Sequence, residues 1–205
     1  MFAQKTTELL RRIRRYESIG YRVLTVNYVG DTRYGKDCIS SHDQEQQTAV
    51  CVGTLSEVDE MVRSGDYRVI AIDEGQFFPD LFDHVTCWVD HLDVHVVVVG
   101  LDGTFDRAPF GDMLRLLPHA EEVERLTAYC AVCRDGTPAI FSKRTQAAPG
   151  NIDVVAIGGA AMYQPVCRAH FVETRTAGPS GLACVPTPLS RGDILSHTPL
   201  SIGED

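Results

Sequence analysis

Four residues of this chain have the types and spacing to hold a metal ion. Cys130 and Cys133 form a C-x-x-C pair, and Cys167 and His170 form a C-x-x-H pair. Two such pairs on turns supply four tetrahedral ligands, and thiolates favour Zn2+. The separation between the pairs exceeds that of a compact ribbon but fits across a hairpin-like insert. The chain has 7 cysteines, an odd and small number. That pattern reads as metal binding in a reducing compartment rather than as a disulfide framework. Zinc ribbons also bind nucleic acid, but few basic residues cluster beside these pairs, so a folding role is expected.

Three further stretches can carry chemistry. VIAIDEGQFF places Asp73 and Glu74 where an apolar strand emerges. In phosphate-loop enzymes an acid there holds Mg2+ directly or through water, and a neighbouring acid can act as base. Adjacent strand residues point to opposite sides, so the two acids can serve the metal and the reacting hydroxyl separately. The same dipeptide also suits an ordinary solvated strand-end turn. At the start, MFAQKTTELL offers Lys5 and Thr6 as the last two positions of G-x-x-x-x-G-K-[ST]. Backbone N–H groups of that loop hold phosphates, its lysine reaches the β- and γ-phosphates, and its hydroxyl binds Mg2+. No strand or opening glycine precedes Lys5, and Gln4 stands where a glycine is expected. K-T-T also fits a plain helix start. Finally, GLDGTFDRAPFG has Gly100, Gly103 and Gly111 to permit tight backbone. Phe105 and Phe110 there suit either an apolar slot for a flat ligand or the core behind a turn. Gly158 and Gly159 in IGGAAMY would let backbone approach a ligand closely.

Hydrophobic periodicity indicates the elements that must position these groups. KTTELLRRIRRYESIG has Leu9, Leu10, Ile13 and Tyr16 at helical spacing, an arginine-rich outer face and Gly20 as a stop. YRVLTVNYV reads as a strand, GDTRYGKDCISSHD as a polar loop and TAVCVGTL as a short strand. SEVDEMVRS reads as a short helix with Ser56 and Asp59 at capping-box spacing. YRVIAID and VHVVVVG read as buried parallel strands. PDLFDHVTCWVDHL between them reads as a helix with Pro79 in its first turn. The alternation predicts an α/β fold with a parallel sheet. After about residue 125 short strands and turns surround the Cys/His pairs, and from about Thr174 Pro, Gly, Ser and Thr dominate. The expected organisation is an α/β domain over 1–125, a zinc-binding subdomain over 126–173 and a disordered tail over 174–205.

Composition limits the function class. A net charge of −9 argues against broad binding to nucleic acid or anionic membranes. The longest apolar run, around VHVVVVGL, is far short of a membrane span. No secretory signal opens the chain, and a cytoplasmic location is expected.

DEGQFFPD, LDGTFDRAPFG, LTAYCAVC and IGGAAMYQPVCRAHF, in that order, resemble the zinc-containing thymidine kinases of animal cytosol, many bacteria and large DNA viruses. The resemblance runs from Met1 to about Phe171 and leaves the tail uncovered. It implies a P-loop NTPase-like sheet lacking its first strand in this chain, with a zinc subdomain and a homotetramer. It also implies transfer of the γ-phosphate of ATP, with Mg2+, to the 5′-hydroxyl of thymidine, deoxyuridine being a further candidate substrate. By resemblance Glu74 matches the general base, Asp73 the acid supporting Mg2+, and Gln76 a residue of the nucleotide site. Met1, Phe2, Ala3, Gln4, Lys5 and Thr6 match the phosphate loop, and Asp31, Thr32 and Arg33 a segment approaching the ATP phosphates. Phe77, Leu101, Phe105 and Phe110 match the thymine slot. Val154, Val155, Ala156, Ile157 and Gly158 match a lasso loop whose backbone reads the base, and Tyr163 a tyrosine near the sugar. Cys130, Cys133, Cys167 and His170 match the zinc set, with His170 replacing a fourth cysteine.

The departures from that family set the alternative. Gln4 replaces a glycine that needs backbone freedom beside the β-phosphate. Asp106, Ala108 and Ala161 replace a glutamine, a lysine and an often acidic residue. Besides an active thymidine kinase, the sequence therefore admits a degenerate, catalytically weak homologue that binds nucleoside or partner subunits. A zinc-ribbon binding module would leave DEGQFF and LDGTF unexplained.

Overall fold

The computed structural model describes residues 2–30, 38–40, 46–145 and 163–172. Helix α1, Lys5–Ser18, buries Leu9, Leu10 and Ile13 along one face. These pack with Ala49 and Ala71 and against Val23, Val97 and Val99, so α1 covers one side of a sheet. Its polar face is laced by charge. Glu8 accepts hydrogen bonds from Arg11 and Arg12, and Arg12 reaches on to Glu122 and Glu124.

That sheet has four parallel strands in the order β4-β1-β5-β6. They are β1 (Val23–Tyr28), β4 (Val50–Val52), β5 (Val69–Ile72) and β6 (His95–Val98). The mixed α/β class and parallel sheet agree with the sequence reading. All four residues of β5 are buried, as a central strand covered on both faces requires. The second face is filled by Leu24, Val26, Ile70, Ile72, Phe78 and Trp88 among others.

Four local expectations are corrected. The stretch read as one polar loop contains strand β2, Cys38–Ser40, paired antiparallel with β3, Gln46–Thr48. A three-residue polar hairpin has no apolar alternation to reveal it. The capping box falls at Thr54 and Glu57, not at Ser56 and Asp59. The Glu57 carboxylate accepts the Gly53 and Thr54 N–H groups at 2.8 and 2.9 Å, opening a 3-10 turn over Leu55–Val58 that leads into α2, Asp59–Arg63. Helix α3 spans Leu81–Leu92 and begins after Pro79, at an Asp80 N-cap. The Asp80 carboxylate instead accepts the N–H groups of Leu55 and Ser56, both at 3.0 Å, and so caps the neighbouring 3-10 turn.

The fourth correction concerns β6. It is parallel, as expected, but His95 is exposed and the three valines are only half-buried. Val97 packs toward α1, and Val94, Val96 and Val98 pack toward α3. The valine run thus reflects two covered faces. Among the described residues no strand pairs with the outer edge of β6.

Beyond the sheet, β7 (Ala128–Tyr129) pairs with β8 (Pro138–Ala139), and β9 (Phe141–Arg144) with β10 (Tyr163–Val166). Helix α4, Arg168–Val172, follows. Ala128, Cys130, Ala139, Val166, Cys167 and Phe171 form a separate apolar cluster, and Phe2 packs against it. Among the described residues no helix is long and apolar enough to cross a membrane.

Candidate active site

The acid pair sits at the carboxyl end of the central strand. Asp73 extends β5 by one residue, its N–H donating to the Val26 carbonyl at 2.9 Å. Glu74 then turns the chain in the left-handed region, φ 53° and ψ 39°, into a 3-10 turn over Gly75–Phe77. The two carboxylates diverge because of this turn, rather than by simple strand alternation. The Gly75 N–H donates to the Val99 carbonyl at 2.9 Å, tying the turn to the end of β6.

All three polar side chains of the turn are buried: Asp73, Glu74 and Gln76 are 4, 8 and 3% exposed. Asp73 accepts the Thr6 hydroxyl at 2.9 Å on Oδ2 and the Glu74 N–H at 2.9 Å on Oδ1. Burial, followed by the neighbouring Glu74 charge, pushes the Asp73 carboxyl up to about 6, against the opposing pull of Thr6 and Lys5. Adjacent ligands of an octahedral Mg2+ stand about 3.0 Å apart, given metal–oxygen distances of about 2.1 Å. The Thr6 and Asp73 oxygens have that spacing, so the pair fits a Mg2+ ion held directly or through water. Lys5 and Thr6 open α1, whose first N–H groups face the same end of the sheet.

Two residues before α1 share the left-handed backbone of Glu74. Gln4 is left-handed, φ 55° and ψ 34°, and Phe2 has φ 59°. The sequence expectation that position 4 calls for glycine-like backbone is thus met in the structure, with a glutamine in place.

An aromatic wall stands beside the acids. Phe77 stacks on Tyr28 with ring centroids 5.1 Å apart and meets Phe110 edge-on at 5.4 Å. Phe105 lies 6.4 Å from Tyr163 and beneath the Arg144 guanidinium at 5.7 Å. Phe105 and Phe110 belong to a tight hairpin closed by a Gly103–Pro109 bridge and by a Thr104 N–H bond to the Ala108 carbonyl at 2.9 Å. Arg107, at the hairpin tip, lies over the rings of Phe171 and Phe141 at 5.0 and 5.8 Å. Leu101 enters through its backbone: its N–H donates to Gln76 Oε1 at 2.9 Å. The sequence reading missed Tyr28, Arg107 and Arg144. An aromatic residue closing a strand next to the acid strand was the available signal for Tyr28. Nothing local marks the two arginines.

The metal group assembles as the sequence predicts. The ligand atoms of Cys130, Cys133, Cys167 and His170 all lie within 4.8 Å of one another. A tetrahedral ion with Zn-like bond lengths sets thiolates about 3.8 Å apart and a thiolate and imidazole about 3.6 Å apart. Cys133 and Cys167 are separated by 3.8 Å, and His170 Nδ1 lies 3.3 to 3.6 Å from the three sulfurs. This donor set fits a metal ion. Met1, Asp31, Thr32, Arg33 and Val154, Val155, Ala156, Ile157 and Gly158 lie outside the described residues.

Comparison with known proteins identifies the family. The family model described as thymidine kinase matches residues 1–171. The chain is 41% identical over 174 residues to a protein named thymidine kinase from monkeypox virus, covering 85% of this chain and 93% of that protein. A thymidine kinase of variola virus is also 41% identical, and one of vaccinia virus strain Western Reserve 40%, with the same coverage. The chain belongs to the thymidine kinase family.

Proposed function

We propose that this nucleoside kinase transfers the γ-phosphoryl group of ATP to the 5′-hydroxyl of thymidine, giving dTMP and ADP. Deoxyuridine, lacking only the methyl group, is the second substrate candidate. The observation that carries the reading is the convergence of Thr6, Asp73, Glu74 and the Phe77–Phe110 wall at one end of the sheet. Lys5 and the first N–H groups of α1 bind the phosphates. Thr6 and Asp73 would hold Mg2+, which would neutralise charge developing on the phosphates. Glu74 accepts the proton of the 5′-hydroxyl as its oxygen bonds to the γ-phosphorus and the bond to the bridging oxygen of ADP breaks. Phe77, Phe105 and Phe110 line the thymine slot with Leu101, and Tyr163 lies toward the sugar. The lasso residues 154–158 and the segment 31–33 complete the reading by resemblance.

We assign phosphoryl transfer to residues 1–125 and the metal and lasso segments to 126–173, with the Cys3His set holding structural Zn2+. A cytoplasmic homotetramer in pyrimidine salvage, without nucleic-acid or membrane partners, is the matching cellular reading. The left-handed Gln4 supports turnover below that of an otherwise equal chain with glycine at this position. This residue favours the weak-kinase alternative.

The deciding experiment is Glu74→Gln assayed with thymidine and MgATP. Turnover should fall by 10²-fold or more, on the order expected for loss of a general base, while thymidine binding by calorimetry stays close to wild type. Undiminished turnover would remove Glu74 as the base.

A further inference from the structure

Gln76 is buried, and both ends of its amide are engaged by the protein itself. The Leu101 N–H can only donate, so it fixes the amide oxygen at its 2.9 Å contact. The NH2 end is thereby forced toward Glu74, where it donates to Oε2 at 2.6 Å. The glutamine is flanked by glycines whose spacing in sequence gives no hint of a shared purpose. A Cβ on Gly100 would come within 2.6 Å of Gln76 Oε1. A Cβ on Gly111 would come within 2.3 Å of the Gln76 carbonyl oxygen, and Gly111 has φ +54°. The backbone of Gly100 and Gly111 therefore closes around Gln76, where a side chain at either position would collide with it.

We propose that Gln76 is a positioning residue that couples the acid to the nucleoside hairpin. It holds the Glu74 carboxylate in one orientation and latches the segment at Leu101, from which the Phe105–Phe110 hairpin springs. One amide thus sets both the direction in which the proton acceptor faces and the distance from it to the thymine slot. One N–H and one lone pair of the amide are left over, so the coupling does not depend on a contact with ATP. The proposal rests on the kinase reading of Glu74.

Two variants separate the two ends. Gln76→Met keeps the length and loses both hydrogen bonds. Gln76→Glu keeps an acceptor for the Leu101 N–H and presents oxygen instead of NH2 to Glu74. In Gln76→Met, kcat should fall on the order of 100-fold, the cost of a reacting group misplaced by about 1 Å. The thymidine KM should rise as the hairpin loosens, and the ATP KM should move by less than about 3-fold. In Gln76→Glu, kcat should fall as far while the thymidine KM stays near wild type. Circular dichroism and thermal melts confirm that both variants are folded. Should Gln76→Met fail to fold, Gln76→Glu carries the kinetic test alone. An unchanged kcat, or a rise in ATP KM with kcat retained, would overturn the proposal, the second by making Gln76 a nucleotide ligand. Wild-type protein that binds thymidine without phosphorylating it would refute the transfer reading instead. The latch would then be read from amide exchange at Leu101, which should quicken in Gln76→Met. Equal exchange rates would refute the latch.

Discussion

Two non-glycine residues of the same site, Glu74 and Gln4, occupy nearly the same left-handed backbone region, φ 53° and φ 55°. Such a conformation costs roughly 1–3 kcal/mol and persists only where the surroundings impose it. Around Glu74 they do. Its N–H is bound by Asp73, its carboxylate by Gln76, and the following Gly75 N–H by the Val99 carbonyl. Gln4 is exposed, no side-chain hydrogen bond caps α1 there, and among the described residues its carbonyl accepts the Glu8 N–H at 3.0 Å. The acid turn is over-determined by its neighbours, whereas fewer contacts among the described residues hold Gln4. Strain at Glu74 is held by specific hydrogen bonds, whereas at Gln4 it falls on an exposed side chain with left-handed backbone.

Substitutions can break or sharpen this contrast. Gly111→Ala attacks the held turn from outside, combining an unfavourable φ with a clash against the Gln76 backbone. It should cost on the order of 3 kcal/mol in denaturant unfolding. A loss below about 0.5 kcal/mol, the level of a neutral surface change, would show the turn to be more yielding than the geometry implies.

Asp73→Asn removes a buried charge whose carboxyl is raised from 3.8 to about 6. In that window the folded state binds more protons than the unfolded one, so Asp73 lowers stability as pH rises from about 4 to about 6. The asparagine oxygen can accept the Glu74 N–H while its NH2 donates to the Thr6 hydroxyl. The variant should therefore melt higher than wild type at pH 7 without ligand, lose that advantage at pH 4, and turn over poorly. A melting temperature at pH 7 below wild type would contradict the stated burial cost.

Gln4→Gly should act in the opposite functional direction. Relief of the left-handed strain is worth about 1 kcal/mol, which corresponds to roughly 5-fold in ATP affinity where that strain opposes phosphate binding. Unaltered ATP KM and kcat would show that the loop tolerates glutamine.

The smallest effect belongs to α1. Hydrogen bonding to Arg11, then to Arg12, holds the Glu8 carboxyl down at about 2. Its contribution is complete above about 4.5 and is lost as pH falls toward 2. Because these groups border solvent, Glu8→Gln should cost no more than about 1 kcal/mol at pH 7, and less in high salt. An equal loss at pH 3 and pH 7 would assign the effect to packing.

The sequence made the elements and the chemistry-bearing residues readable where the signal was local. The run from Val69 to Glu74 shows a buried strand ending in acid, and the Cys and His pairs lie at metal spacing. What stayed hidden depends on partners far apart in the chain. Gln76 meets Leu101 across 25 positions, and Asp80 caps a turn 24 and 25 positions before it. Arg107 reaches rings on β9 and α4. No periodicity encodes such pairings, and a left-handed glutamate carries no compositional mark. The half-buried state of β6 escaped for a related reason. A valine run reports covered faces, but says nothing about which edges are paired.

Phe2 packs against the apolar cluster that surrounds the cysteines. The segment leading into α1 thus packs on the same cluster as the metal group. With ATP bound at α1 as proposed, linkage would be reciprocal: order that the ion lends this segment would return as resistance to metal loss. A chelator should strip the metal more slowly from protein saturated with MgATP than from protein without it. The ion and the nucleotide would then act as each other's effectors.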